Sequence, residues 1–273
     1  MRVKELLARG LKRAGATALH PIGFTPAHRT SPAALAAFLA GLHPIDAGHQ
    51  LIRLGRTGDG GYLVPDDLDG ITTCLSAGVG NDSSFELDCA ERGMQVFLTD
   101  GSVASPAAQH SAFHFQQLHL GAATTSTEIA LDDWADRSVG DLSGDLLVKI
   151  DIEGAEYQVL TATSAALLAR TRIVVIEFHE LHRLFIDAAF PFLCAAFDRI
   201  TATHDCVHIH PNNGRGVVTD SGVTLPRVAE FTFLRRDRAR SRHPATRFPH
   251  PLDSDCTADP TLVLPSSLFS RPA

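Results

Sequence analysis

The residues of this chain best suited to chemistry lie in LLVKIDIEGAEYQVL (146–160), where a continuous apolar run gives way to Lys149, Asp151, Glu153 and Glu156. Such a run predicts a buried parallel strand that delivers carboxylates to its carboxyl end, where open α/β sheets bind ligands. Carboxylates there are costly unless hydrogen bonds, a metal or a substrate answers them. Gly154 lets the chain turn into the helix that follows. Glu153 and Glu156 also have a structural reading, as negative charge at the start of that helix.

A second candidate is CLSAGVGNDSSFE (74–86), which sets Gly78 and Gly80 after a strand and before a helix. Glycines there permit a tight turn and close ligand approach, and the helix start offers free N–H groups. Asp100 ends the next strand 22 residues after Gly78, where a carboxylate accepts hydrogen bonds from ribose hydroxyls. Ser83 occupies the place of a third fingerprint glycine, and Asp82 adds negative charge. Both suit a pyrophosphate poorly and a cationic ligand better, such as the amino acid and sulfonium of S-adenosylmethionine. An ordinary turn capped by Asn81 or Asp82 remains the structural alternative.

The elements that would position these residues alternate from residue 71 onward. Strands are expected at 71–79, 94–100, 113–120, 146–153, 172–179, 205–211 and 229–236, with helices at 83–93, 155–169 and before residue 199. This predicts an α/β fold with a doubly wound, mostly parallel seven-stranded sheet closed by a C-terminal antiparallel hairpin. Residues 1–50 read as a helical extension, with helices at 1–14 and 31–42, the second capped by Ser31. Residues 51–236 read as the main domain and 237–273 as an irregular tail. His204, Cys206, His208 and His210 alternate along one expected strand, which would align them for a soft metal, although no zinc-like spacing supports this.

With 44% hydrophobic residues, 273 residues can bury a large core. The net charge of −7 argues against nucleic acid as a partner. The five scattered cysteines read as buried free thiols. No apolar run is long enough to span a bilayer, so a cytoplasmic location is expected. The basic face of residues 1–14 leaves contact with a membrane surface open.

Several segments in order resemble the FkbM-type S-adenosylmethionine-dependent methyltransferases: GDGGYLVPDD (58–67), SAGVGNDSSFE (76–86), FLTD (97–100), ALDDW (130–134), KIDIEGAE (149–156), IEFHELH (176–182), HIHPNNG (208–214) and AEFTF (229–233). The resemblance implies a class I methyltransferase (Rossmann-like) fold and O-methylation of a hydroxyl on a sugar, glycan or small natural-product acceptor. It implies S-adenosyl-L-methionine bound by Gly78, Gly80, Asn81, Asp82 and Asp100, with Asp132 nearby. Asp151 and Glu153 would then meet Glu177 and His179 from the neighbouring strand. His179 is the expected base, assisted by Asp151. A divalent ion such as Mg2+ could sit on Asp151, Glu153 and Glu177, and His210, Asn212 and Asn213 could bind acceptor hydroxyls. The chain departs from the family pattern after Asp100, at Gly101-Ser102. A nicotinamide-dependent oxidoreductase is opposed by the missing third glycine. A degenerate binding domain is opposed by the presence of Asp100, Asp151, Glu177 and His179 together.

Overall fold

The computed structural model describes residues 27–139 and 144–270. The helix expected over residues 1–14 lies outside them. Seven strands form one sheet: β1 (Ile71–Ala77), β2 (Gln95–Thr99), β3 (Phe113–Gln116), β4 (Asp145–Ile150), β5 (Thr171–Phe178), β6 (His204–Pro211) and β7 (Ala229–Arg235). Their order is β3-β2-β1-β4-β5-β7-β6. Neighbours from β3 across to β5 pair in parallel, and β7 runs antiparallel to both β5 and β6. This is the class I methyltransferase sheet with the expected C-terminal hairpin. The winding reverses between β1 and β4, so a crevice opens at their carboxyl ends.

The residues of β4 and β5 explain their central place. Leu146, Leu147, Val148 and Ile150, and Ile173 to Ile176, are all buried, as strands covered on both faces require. Two apolar cores result, one on each face. The first packs Ile150, Val174, Ile176 and Phe178 beneath α1 (Pro32–Ala40), α3 (Leu131–Val139), α4 (Glu156–Ala162), α5 (Ala165–Arg170) and α6 (Phe190–Thr201). The second packs Leu147, Ile173 and Val175 toward α2 (Ser84–Glu91) and a hairpin of Leu51–Leu54 with Tyr62–Pro65. The single helix expected over 155–169 is two, because Ser164 interrupts it and accepts the Leu167 N–H at 3.1 Å, starting α5 afresh. Ser31 caps α1 as expected, with Pro32 in its first turn.

The C-terminal segment carries little regular structure, yet it is tied to the core. Arg238 grips Asp67 through two bonds of 2.7 and 2.6 Å. Leu264 and Leu268 are buried in the first core. Arg235 pairs with Asp145, and Arg236 and Arg242 both pair with Asp205.

The alternation of His204, Cys206, His208 and His210 does not survive. Cys206 pairs with Phe233 and His208 with Thr232, so Val207 is a bulge that shifts the register by one. One extra residue exchanges the faces of everything beyond it. Cys206 and Ile209, three residues apart, therefore both pack in the first core, and His208 and His210 lie on the other face from Cys206. His204 instead pins the β6 start: its ring nitrogens bond the Thr171 carbonyl and the Thr203 hydroxyl, each at 2.9 Å.

Burial pushes the His204 imidazole down to about 4. Between that value and its ordinary 6.5 the unfolded chain binds more protons, so stability is lost as pH falls through this window. Urea unfolding at pH 7 and pH 4 should show a loss from this one group approaching about 3 kcal/mol. His204→Gln should flatten that dependence, and an unchanged pH profile in the variant would remove His204 as its cause.

Candidate active site

The floor of the crevice is set by an approach only glycine allows. Gly78 leaves β1 with φ +77°, and a Cβ there would lie 1.6 Å from the Asp151 carbonyl oxygen. Lys149 donates to the Gly78 carbonyl at 2.5 Å, and the Asp151 N–H donates to Ala77 at 3.0 Å. The loop after β1 is thereby fastened to the end of β4. Gly80 differs: its φ is +54°, and a Cβ would meet nothing described within 4 Å.

Asp100 secures the same loop. Its Oδ2 accepts the Val79 and Gly80 N–H groups at 3.0 and 2.9 Å, and its Oδ1 accepts the Ser102 N–H and hydroxyl at 2.8 and 2.6 Å. Burial alone would raise its pKa. The Ser102 hydroxyl and the three backbone donors outweigh it and hold the carboxyl below its usual range. The departure at Gly101-Ser102 thus supplies a hydroxyl that fixes Asp100. Gly78, Thr99, Asp100, Ser102, His119, Glu128, Asp151 and Glu153 are among the residues around a crevice of about 360 Å3. Its carboxylates and the close backbone approach at Gly78 fit a cationic nucleoside ligand.

Beyond Asp151 lies a dense polar cluster. Tyr62 donates its hydroxyl to Asp151 Oδ2 at 2.8 Å. Asn212 donates to Glu177 Oε1 at 2.9 Å. His179 Nδ1 lies 3.0 Å from Glu156 Oε1, which also accepts the Gly154 N–H at 2.9 Å. Glu156 therefore does more than flank its helix: wholly buried, it orients an imidazole. His179 Nε2 lies 3.2 Å from Glu153 and 3.3 Å from Glu177. Burial would lower the His179 pKa, but the bond to Glu156 and the charges of Glu177 and Asp151 hold it up to about 9. At neutral pH the imidazole keeps its proton, so the base role expected of it requires that proton to be drawn off first. Burial and the Asp151 charge push the Glu177 carboxyl well up. Glu177 pairs across the sheet with Glu230, and Glu230 with His210, so the polar row continues into the hairpin. Burial raises Glu230 to about 7.

Asp151, Glu177 and His179 come together as the sequence suggested. Glu153 reaches the same place from outside, in a left-handed conformation with its side chain 70% exposed and near Arg215. Asn81 is exposed at the loop tip. Other expectations are corrected. The Asp82 carboxylate turns to Ser84 at the start of α2 and to Arg56, not into the crevice. Asp132 accepts the Ser164 N–H at 2.9 Å and so joins α3 to α5. Asn213 spends its amide on the Thr257 and Asp259 carbonyls and the Thr257 N–H. His210 faces Ser254 and Asp253. Asn213 and His210 hold the C-terminal segment beside the site, and of the three expected acceptor contacts Asn212 alone bonds a cluster carboxylate. Sequence reasoning missed Ser102, His119 and Glu128, whose short, exposed segments carry no periodic signal.

A doubly wound methyltransferase sheet, a glycine-floored crevice at its switch point and a polar cluster beside it define the class. Residues 64–206, more than half of the chain, match the model of the methyltransferase FkbM domain. The chain belongs to the FkbM methyltransferase family. No curated protein matches it. Among solved structures it is similar to the N-methyltransferase NodS from Bradyrhizobium japonicum WM9, with 10% identity, a TM-score of 0.33, and 61% of this chain and 86% of that one covered. It is also similar to the Burkholderia thailandensis 1,6-didemethyltoxoflavin-N1-methyltransferase with bound 1,6-didemethyltoxoflavin and S-adenosylhomocysteine. There the identity is 14%, the TM-score 0.34, and the coverage 86% and 91%.

The two loop glycines should respond differently to one methyl group. Gly78→Ala forces β4 and the loop apart and should cost about 4 kcal/mol or more. Gly80→Ala meets only backbone strain, about 1–2 kcal/mol. Denaturant unfolding of both variants checks this, and equal losses would contradict the close approach at residue 78.

Proposed function

We propose that this protein transfers the methyl group of S-adenosyl-L-methionine to a hydroxyl oxygen of a sugar, glycan or small natural-product acceptor. The observation that carries the reading is the adjacency of the two halves of the site. The Asp151 backbone is fastened to the donor loop at Gly78 and Ala77, while its carboxylate belongs to the cluster with Glu177 and His179. A donor held over Gly78 and Gly80 would present its methyl group toward that cluster, which favours in-line transfer.

Bound S-adenosylmethionine supplies an activated methyl on a positively charged sulfur. The chain supplies the rest. Asp100 keeps the loop N–H groups in place and borders the ribose position, where Ser102, His119 and Glu128 add polar contacts. Asp151 and His179 bracket the acceptor hydroxyl, and Asn212 sets the Glu177 carboxylate beside it. A sugar hydroxyl has a high pKa, so its proton leaves readily only with a base or a cation at hand. The carboxylates of the cluster suit a divalent ion such as Mg2+ in that part. Among the described residues no helix is long and apolar enough to cross a membrane, and a cytoplasmic site of action fits the free thiols.

Calorimetric titration with S-adenosylmethionine, S-adenosylhomocysteine and NAD tests the donor. Binding of both adenosyl ligands and none of NAD is expected, and Asp100→Ala should weaken them by about tenfold or more, a loss of about 1.4 kcal/mol. Binding of NAD alone would return the oxidoreductase reading. Unchanged affinity in the folded variant would remove Asp100 from the donor site.

A further inference from the structure

The structure assigns a divalent-cation site to Asp151, Glu177 and His179, with His179 a ligand in place of Glu153. One ligand atom from each lies within 4.8 Å of the others. The assignment rests on the proposed methyl transfer only for its purpose, since the site stands on its own geometry.

Each of the three side chains is held from behind and leaves one atom facing the same point. Tyr62 takes Asp151 Oδ2 and leaves Oδ1. Asn212 takes Glu177 Oε1 and leaves Oε2. Glu156 takes His179 Nδ1 and leaves Nε2. This is how ligating groups are oriented in metal sites, where an outer carboxylate fixes the imidazole and outer donors fix the carboxylates. His179 Nε2 is the independent sign. The residue is 5% exposed, and Nε2 makes no hydrogen bond among the described residues, although Glu153 and Glu177 oxygens lie 3.2 and 3.3 Å away. Those oxygens are near enough to bond and wrongly angled to do so. A cation between Nε2 and the carboxylates would use all three.

The donor set also selects the ion. Two carboxylates and one imidazole that gives up its Nε2 proton to the solvent on coordination balance a divalent charge, and oxygen-rich sets suit Mg2+ and Mn2+ while one nitrogen is tolerated. Three protein ligands leave the remaining positions of such an ion to water or an acceptor hydroxyl. Coordination there would lower the pKa of that hydroxyl and orient its oxygen. Glu153, exposed and beside Arg215, stays at the rim.

Titration of the purified full chain with Mn2+, followed by the loss of the free-ion electron paramagnetic resonance signal, tests the site. One ion per chain is expected, displaced by Mg2+. Glu177→Gln and His179→Ala should abolish saturable binding, Asn212→Ala and Tyr62→Phe should weaken it about 10- to 100-fold, and Glu153→Gln should change it less than threefold. Circular dichroism of each variant separates lost ligands from lost folding. No saturable binding by a chain that still binds S-adenosylmethionine would overturn the metal site and leave the proposed function standing. Mn2+ binding without S-adenosylmethionine binding would do the reverse. Binding of Zn2+ alone, or loss of Mn2+ binding in Glu153→Gln, would overturn the assignment as made.

Discussion

The site depends on one steric constraint: the chain at residue 78 must pass against the backbone of residue 151 with no side chain between them. Because Gly78 carries no Cβ, the end of β1 and the end of β4 touch directly. Lys149 reinforces the join by placing its ammonium on the Gly78 carbonyl. The loop after β1 and the carboxylate cluster are thus two sides of a single junction. A shift of either strand end would change both the volume of the crevice and the aim of Asp151.

The negative charge gathered at the junction shapes its surroundings. Glu156, Glu177 and Glu230 are buried, and Asp151 and Glu153 lie beside them. Such groups are tolerated only with partners. Some partners come from inside the matched domain, as with His179. Others come from outside it: Tyr62 precedes residue 64, and Asn212, His210 and Asp253 follow residue 206. The part common to the family supplies β1 to β5 and the loop after β1, and the flanking segments of this chain supply β7, most of β6 and much of the polar wall around the cluster.

The sheet was legible because its signal is redundant. The middles of β4 and β5, Leu146 to Val148 and Ile173 to Ile176, are wholly aliphatic, and burial on both faces needs nothing more. Asp151, Glu177 and His179 were legible because each interrupts such a run at its carboxyl end. Asp82 and Asp132 show the limit. Each was placed near the right loop, but the direction of a carboxylate is decided by whichever N–H is free beside it, and both found a helix start. The bulge at Val207 was invisible, since the letters alternate perfectly while the register does not. The C-terminal segment gave no periodic signal because much of its order comes from distant side chains, such as Asn213, rather than from its own pattern.

That bulge gives β6 two independent halves. Before Val207 it is Cys206 that faces the helical core, and after it Ile209, which leaves His208 and His210 to the polar wall shared with Glu230. Register, rather than residue identity, therefore carries the information at this position. Exchange of Val207 for another β-branched residue would leave both halves as they are. A regular ladder through Val207 would pair it with Thr232 and set His208 opposite Phe231, on the face of the phenylalanines.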